Sequence, residues 1–160
     1  MTVEQTLQAA MTHHQTGELK DAERLYRSIL TEEPKHPDAN HNLGVLLKQG
    51  EQADMALPFL KTALETNPNQ GQFWVSYIDT LIHLGKLDAA RNVLEQGYSR
   101  GLKGDEGDQL EERLNSHQKN QSGLAQVKVD SVIALYSQGQ IQEALDASEA
   151  LIKDYPNNFL

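Results

Sequence analysis

The sequence of 160 residues contains no cysteine, which excludes disulfide bonds, thiolate metal ligands and cysteine nucleophiles. Positive charge is scarce, because 14 lysines and arginines stand against 23 aspartates and glutamates, a formal net charge of −9. Duplex nucleic acid and anionic membranes are therefore poor partners, since both require clustered cations. No apolar run approaches about 18 residues, and the first residues lack the basic and apolar regions of a signal peptide. We therefore expect a cytoplasmic protein without a membrane partner.

Motifs for catalysis and metal binding are missing as well. The six histidines form no i, i+4 pair of the His-Glu-x-x-His type, and His36 and His41 have unsuitable spacing. The sequence has no glycine-rich phosphate loop, no Gly-x-Ser-x-Gly motif and no Walker lysine. We predict that the chain is not an enzyme and that it needs no cofactor and no metal.

What the sequence does have is an internal repeat of 34 residues. Ala22, Ala56 and Ala90 are spaced by this period inside similar amphipathic patterns, and Ala144 follows after one period plus 20 inserted residues. Each unit is predicted to be two helices joined by a turn, in which a glycine with positive φ closes the first helix. These turn glycines are Gly17, Gly50, Gly85 and Gly139.

The amphipathic pattern predicts eight helices. Gly50 lies one residue early in its unit, which predicts a shortened first helix and a longer turn there. Prolines at 34, 68 and 156 are expected to stop second helices, because proline offers no N–H and disfavours α geometry in the preceding residue. The predicted helices lie at about 3–16, 19–32, 37–49, 53–66, 71–84, 87–100, 123–138 and 141–154.

This pattern resembles the tetratricopeptide repeat family, whose units are 34-residue helix–turn–helix pairs. The resemblance is carried by the alanine column, the prolines, Leu43-Gly44, Trp74 and the large residues Tyr26, Leu60 and Leu94. It implies an all-α fold, an α-solenoid of about four helix pairs plus one inserted helix. Trp74 is interpreted as a core residue wedged between neighbouring pairs.

The domain organisation follows from the period. Between the third and fourth units, Leu110 and Leu114 lie on one side of a short predicted helix that ends at the polar run 119–122. This insertion is interpreted as a helix that caps the third pair, as a linker or as a hinge. No capping helix follows the last pair, so we expect a truncated array or a homodimer through that face. The predicted segments are 3–101, with units at about 3–36, 37–70 and 71–101, the insertion at 102–121, and the fourth unit at 122–160.

A binding surface is what the resemblance implies for function. First helices of such units line the concave face, where a peptide or protein segment binds. Asn42 is the leading candidate, because family members often hold a ligand's backbone with an asparagine in that column. The aspartates in these stripes have few cations beside them, which favours a neutral or basic segment. The predicted concave-face residues are Asp38, His41, Asn42, Val45, Gln72, Val75, Ser76, Asp79, His83, Val129, Asp130 and Ile133.

We therefore predict a non-catalytic protein-interaction scaffold. An alternative comes from the leading repeats, which look like those of bacterial tetratricopeptide-repeat proteins with a glycosyltransferase domain. That resemblance implies an N-terminal arm that presents an acceptor protein, with the catalytic domain beyond residue 160. The arm itself would then carry no catalytic residue.

Overall fold

The structure of the protein is a computed structural model that describes residues 1–100, Leu102 and 104–155. Within these residues all regular secondary structure is helical, as expected, and seven of the helices agree with the prediction to within one residue at each end. The predicted stop at Pro156 lies outside the described residues. The helices are α1 (Val3–Gln15), α2 (Leu19–Glu32), α3 (Pro37–Gln49), α4 (Ala53–Thr66), α5 (Gly71–His83), α6 (Leu87–Ser99), α7 (Asp105–Ser137) and α8 (Ile141–Asp154).

The chain divides into two compact units, one covering Met1–Leu114 and the other beginning at Asn115. The first unit contains three helix pairs, α1–α2, α3–α4 and α5–α6, followed by the beginning of α7. Consecutive pairs pack on one another, because α2 lies against α3 and α4 lies against α5. Each pair thereby buries an apolar stripe that it cannot cover alone, which makes the first unit an α-solenoid.

Small residues set the close approach of the helices in the first unit. Ala22, Ala56 and Ala90 have no exposed surface. Gly44 in α3 shows how close the crossing is, since a Cβ atom there would lie 2.5 Å from Cγ of Leu60. A larger side chain at these positions would push the helices apart, so the repeated alanines are a packing requirement.

Trp74 is a core residue, as the sequence predicts. Its indole is almost completely buried in the cluster that also contains Leu94 and Leu102. Its Nε1–H donates a hydrogen bond of 2.8 Å to the carbonyl oxygen of Pro68, which satisfies the one polar group of the ring. Burial and hydrogen bonding together make Trp74 part of the core.

The turns inside the pairs follow the prediction in three units and differ from it in one. Gly17, Gly85 and Gly139 have φ values of 80°, 68° and 79°. In the second unit Gly50 has a φ of −82°, and Glu51 takes the left-handed conformation with a φ of 60°. Helix α3 is also 13 residues long, as α1 and α5 are. The predictions of a positive φ at Gly50 and of a shortened helix are therefore wrong.

The physical reason is that the hydrogen bonds of the turn fix the position of the left-handed residue. The amide of Gln52 donates to the carbonyl of Leu47, just as the amide of Lys86 donates to that of Leu81 one repeat later. The residue before each amide must be left-handed, whichever side chain it carries. A non-glycine residue there costs about 1 kcal/mol.

Helix α7 differs from the predicted inserted helix. Leu110 and Leu114 are buried in the same cluster as Trp74, so the beginning of α7 caps the third pair. The helix does not end at 119–122, however, but continues to Ser137. The predicted break is wrong because the polar residues of this run contain no proline, and a single Gly123 costs a helix only about 1 kcal/mol. Polarity alone does not stop a helix.

The second unit consists of the remainder of α7 and α8. Ala144 and Leu151 of α8 and Ala125 of α7 are buried. Nζ of Lys128 lies 2.8 Å from a carboxylate oxygen of Asp154, an exposed ion pair of small energetic value. This unit buries few large side chains among its described residues, and many of its apolar residues are exposed.

Candidate functional site

A groove between α3 and α5 brings together seven of the twelve predicted concave-face residues. Its volume is about 490 Å³. The two helices are the first members of consecutive pairs, so residues spaced at i, i+3, i+4 and i+7 on each helix face the same space. The seven residues are His41, Asn42, Val45, Gln72, Val75, Ser76 and Asp79.

A second groove, of about 300 Å³, lies between α1 and α3. Met11, His14 and Gln15 line it from α1. Asn42 and Gln49 of α3 line both grooves. The two grooves therefore meet at these amide side chains and form one surface across α1, α3 and α5, which we call the first-helix groove.

His41 lines the α3–α5 groove and contacts residues of both helices. Its ring stacks on Phe73 with a centroid distance of 4.7 Å, and its Nε2 is 2.9 Å from Oγ of Ser76. Nδ1 is 3.3 Å from Oδ1 of Asn42, a pattern that fits Nδ1–H donating while Nε2 accepts from the serine hydroxyl. Burial lowers the pKa of His41, against smaller raising effects from Asn42 and Asp38. The imidazole is therefore neutral at pH 7.

Asn42 carries the polar group that is best placed for a ligand. The contact with His41 uses its Oδ1 atom, whereas Nδ2 has no hydrogen-bond partner among residues 1–100, 102 and 104–155. The side chain is half-buried at the junction of the two grooves. An amide in this position can donate to a backbone carbonyl of an extended chain.

Asp79 is already occupied by cations of the protein. Lys48 donates to its Oδ2 atom, and Arg113 forms an ion pair with Oδ1 without the geometry of a hydrogen bond. The carboxylate side chain is only 18% exposed. Burial lowers the pKa of Lys48, and the neighbouring charge of Arg113 lowers it further. The groove thus places two cations on one carboxylate, and the acidic lining inferred from the sequence is compensated here.

The remaining predicted residues are not part of this groove. Asp38 and His83 are exposed near opposite ends of their helices and do not line it. Val129, Asp130 and Ile133 belong to the second unit. There, Asp130 accepts a hydrogen bond of 2.9 Å from Gln126, and Ile133 is exposed.

Sequence reasoning also missed part of the lining. Lys48, Gln49 and Thr80 line the α3–α5 groove. Lys48 and Gln49 lie seven residues after His41 and Asn42, so extending the helical stripe of α3 by one step would have found them. No signal in the sequence pointed to Arg113, which reaches Asp79 from the inserted segment.

Two kinds of site are not seen in the part of the chain that the structure describes. Within it, histidines and carboxylates do not come together in groups of three or more that suit a metal ion. None of its helices has the length and apolar character that crossing a membrane requires.

The repeated helix pairs and the groove along their first helices define a helical repeat protein. The pattern of tetratricopeptide repeats matches residues 46–100, and a second such pattern matches 132–158, together about half of the chain. The chain belongs to the tetratricopeptide repeat family. No protein of curated function is significantly similar to this sequence.

Solved structures share the fold at low sequence identity. The first tetratricopeptide domain of Spaghetti (RPAP3) bound to an HSP90 peptide is 14% identical, with 71% of this chain and 91% of that chain covered and a TM-score of 0.64. The type III secretion translocator chaperone SycD of Yersinia enterocolitica is 17% identical, covering 75% and 86% with a TM-score of 0.65. A mutant of MamA is 17% identical, covering 96% and 77% with a TM-score of 0.61.

Proposed function

We propose that the protein is a non-catalytic interaction scaffold whose first-helix groove binds an extended segment of a partner protein. The observation that carries this proposal is the convergence of seven predicted residues in one groove, with Asn42 at its junction with the α1–α3 groove. An extended chain has unpaired backbone amides and carbonyls along its length. The groove offers side-chain amides from Asn42, Gln49 and Gln72 and a hydroxyl from Ser76, and such groups can pair with the backbone of an extended chain.

The lining favours a neutral segment over a charged one. Asn42, Gln49, Gln72 and Ser76 supply neutral hydrogen-bonding groups, and Val45 supplies an apolar contact. A basic segment, also expected from the sequence, has less support, because Asp79 already pairs with two cations. A neutral segment leaves this ion pair network intact.

Structures with the same fold support a role in peptide binding. The RPAP3 domain is bound to the HSP90 peptide SRMEEVD. SycD has been solved in complex with a peptide of the translocator YopD, and the yeast Sti1 domain TPR2B as a complex with Hsp70. At identities of 12% to 19% these proteins share the fold, and the peptide itself is not transferable from them.

The proposal is tested with a library of random dodecapeptides displayed on phage and selected on the 160-residue protein. Synthetic versions of the enriched peptides are then titrated by calorimetry into the native protein and into Asn42→Ala. We expect enriched sequences without excess lysine, arginine, aspartate or glutamate. We expect Asn42→Ala to weaken binding about tenfold, as loss of a buried hydrogen bond of about 1–2 kcal/mol requires.

The matched control is Asn92→Ala, which removes an exposed asparagine on α6. It should bind every selected peptide as the native protein does, and both variants should keep the native melting temperature. If Asn42→Ala binds all selected peptides with unchanged affinity, the groove is not the site. Selection of strongly basic peptides would restore the charge preference inferred from sequence alone.

The acceptor-presenting arm of a glycosyltransferase stays a prediction, because no described residue favours it over a general scaffold. The two functions differ in what the groove would hold, an acceptor protein in one case and an assembly partner in the other. A cytoplasmic location stays a prediction as well.

A further inference from the structure

The second unit has an exposed apolar groove that the proposed function does not use. It lies between the last part of α7 and α8 and has a volume of about 300 Å³. Ile133 and Tyr136 line it from α7 and are 57% and 67% exposed. Ile141 and Leu145 line it from α8 and are 49% and 52% exposed. We call this surface the α8 face.

The repeat register shows which kind of structure fits the α8 face. Leu145 follows Ala144 by one residue, as Leu57 follows Ala56. In the first unit Leu57 is partly buried against the core cluster to which α5 contributes Phe73. The corresponding face of the α3–α4 pair is therefore the one on which the next helix packs. By equivalence, the α8 face has the shape that accepts one α-helix.

The charges that follow the groove residues in sequence indicate the chemistry of that helix. On α8, Asp146 and Glu149 are exposed and come directly after the groove residues Leu145 and Ser148, and on α7 the exposed Asp130 comes three residues before Ile133. Helical geometry places such residues on the flank of an apolar stripe. In the sequence, residues 122–155 contain two lysines and five carboxylates. Of the two, Lys128 is held by Asp154. A helix with lysines or arginines beside its apolar stripe is complementary to this rim.

A second copy of the chain is one of the two occupants expected from the sequence, the other being a further helix of a longer array, and the same charges oppose the second copy. Self-association through the α8 face would bring Asp146 and Glu149 of one copy towards acidic residues of the other. The chain also has a net charge of −9, so two copies repel each other at a distance.

We propose that the α8 face binds an amphipathic helix of a partner protein, with leucine-like residues in the groove and basic residues along the acidic rim. This site is separate from the first-helix groove. A scaffold with both sites would hold an extended segment and a helix at the same time.

The test uses three acetylated and amidated peptides of 18 residues. The first has leucines at i, i+3, i+4 and i+7 with lysines on both flanks, the second has glutamates in place of the lysines, and the third has the composition of the first with the leucines scattered around the helix. Binding to the 160-residue protein is measured by fluorescence anisotropy at physiological salt. We expect the lysine peptide to bind at least tenfold more tightly than either of the others.

Variants test whether the lysine peptide binds to the α8 face. Ile133→Ser/Leu145→Ser should weaken the lysine peptide at least tenfold, whereas Met55→Ser, an equally exposed apolar position on α4, should leave it unchanged. Asp146→Asn/Glu149→Gln should reduce the preference for lysine over glutamate flanks, whereas Glu32→Gln/Glu95→Gln should not. Circular dichroism checks that each variant keeps its helices.

Several outcomes would overturn the proposal. Equal affinity for the lysine and glutamate peptides would remove the basic helix as occupant. Unchanged binding to Ile133→Ser/Leu145→Ser, or weakened binding to Asn42→Ala, would move the site away from the α8 face. A concentration-dependent dimer that Leu145→Ser dissociates would show that a second copy is the occupant. These results differ from those of the phage selection, so the two sites fail or succeed separately.

Discussion

The two units of the molecule repeat the same helix pair but surround it differently. In the first unit the alanine of each second helix is followed one turn later by a buried large residue, Tyr26 in α2, Leu60 in α4 and Leu94 in α6. In the second unit Ala144 is followed at that position by Ser148. Next to it, Leu145 is half exposed.

This difference separates two properties that a repeat combines. The helices and their turn form from local sequence, because α8 has 14 residues, as α2 and α4 have, and follows a left-handed glycine, as α2 and α6 do. Burial of the outer faces depends on a neighbour, since one pair cannot cover its own apolar stripe. An exposed apolar face in a repeat is therefore a surface on which a neighbouring helix can pack.

The largest expected effect tests this difference directly with two leucine-to-alanine changes. Leu60→Ala should lower the free energy of unfolding by about 2–5 kcal/mol, because it leaves a cavity at a fully buried crossing. Leu145→Ala should cost less than about 0.5 kcal/mol, because about half of its surface is already exposed to water. Denaturant unfolding followed by the fluorescence of Trp74, the single tryptophan, reports the first unit. Hydrogen exchange of α8 amides reports the second.

Equal losses for the two variants would break the comparison. They would mean that Leu145 is buried in solution by another molecule. In that case a dependence of the Leu145→Ala result on protein concentration would identify self-association.

The fold could be read from the sequence because its signals are local and repeated. The alanines at a 34-residue spacing and the turn glycines predicted the ends of seven helices to within one residue. The continuation of α7 was missed, since polar residues are compatible with both a helix and a loop. In the groove, Asn42 and its neighbours followed from helical spacing. The ion pair of Asp79 with Arg113 did not, because Arg113 lies in the inserted segment, which does not follow the repeat pattern.

A smaller effect is expected in the turns, because in both units a Cβ atom at the left-handed position should cost stability. Glu51→Gly should raise the free energy of unfolding of the first unit by about 0.5–1 kcal/mol, because it removes the strain of a positive φ on a residue with a Cβ atom. Gly139→Ala should destabilise the second unit by about 1 kcal/mol for the same reason. A Cβ atom at 139 meets nothing within 4 Å, so strain alone acts there.

Tryptophan fluorescence and α8 hydrogen exchange measure the two changes separately. Destabilisation by Glu51→Gly would show that the Glu51 side chain contributes more than its backbone strain costs. A neutral Gly139→Ala would show that the second unit's turn is not held in its left-handed conformation.

The smallest expected effect is the pH dependence that His41 gives to the first unit. Burial holds the pKa of His41 below its usual 6.5, so the unfolded chain binds a proton more readily than the folded one. The stability this group contributes is therefore fully present above about pH 6.5 and is lost as the pH falls through the lower folded pKa. His41→Gln should make the unfolding free energy, followed by Trp74 fluorescence, depend less steeply on pH in this range, by at most about 1.4 kcal/mol per pH unit.

Val129 occupies the aligned position in the second unit and does not titrate, so the protection of α8 amides should not respond to the His41 change. An unchanged pH slope in His41→Gln would mean that the imidazole is solvated in the folded protein.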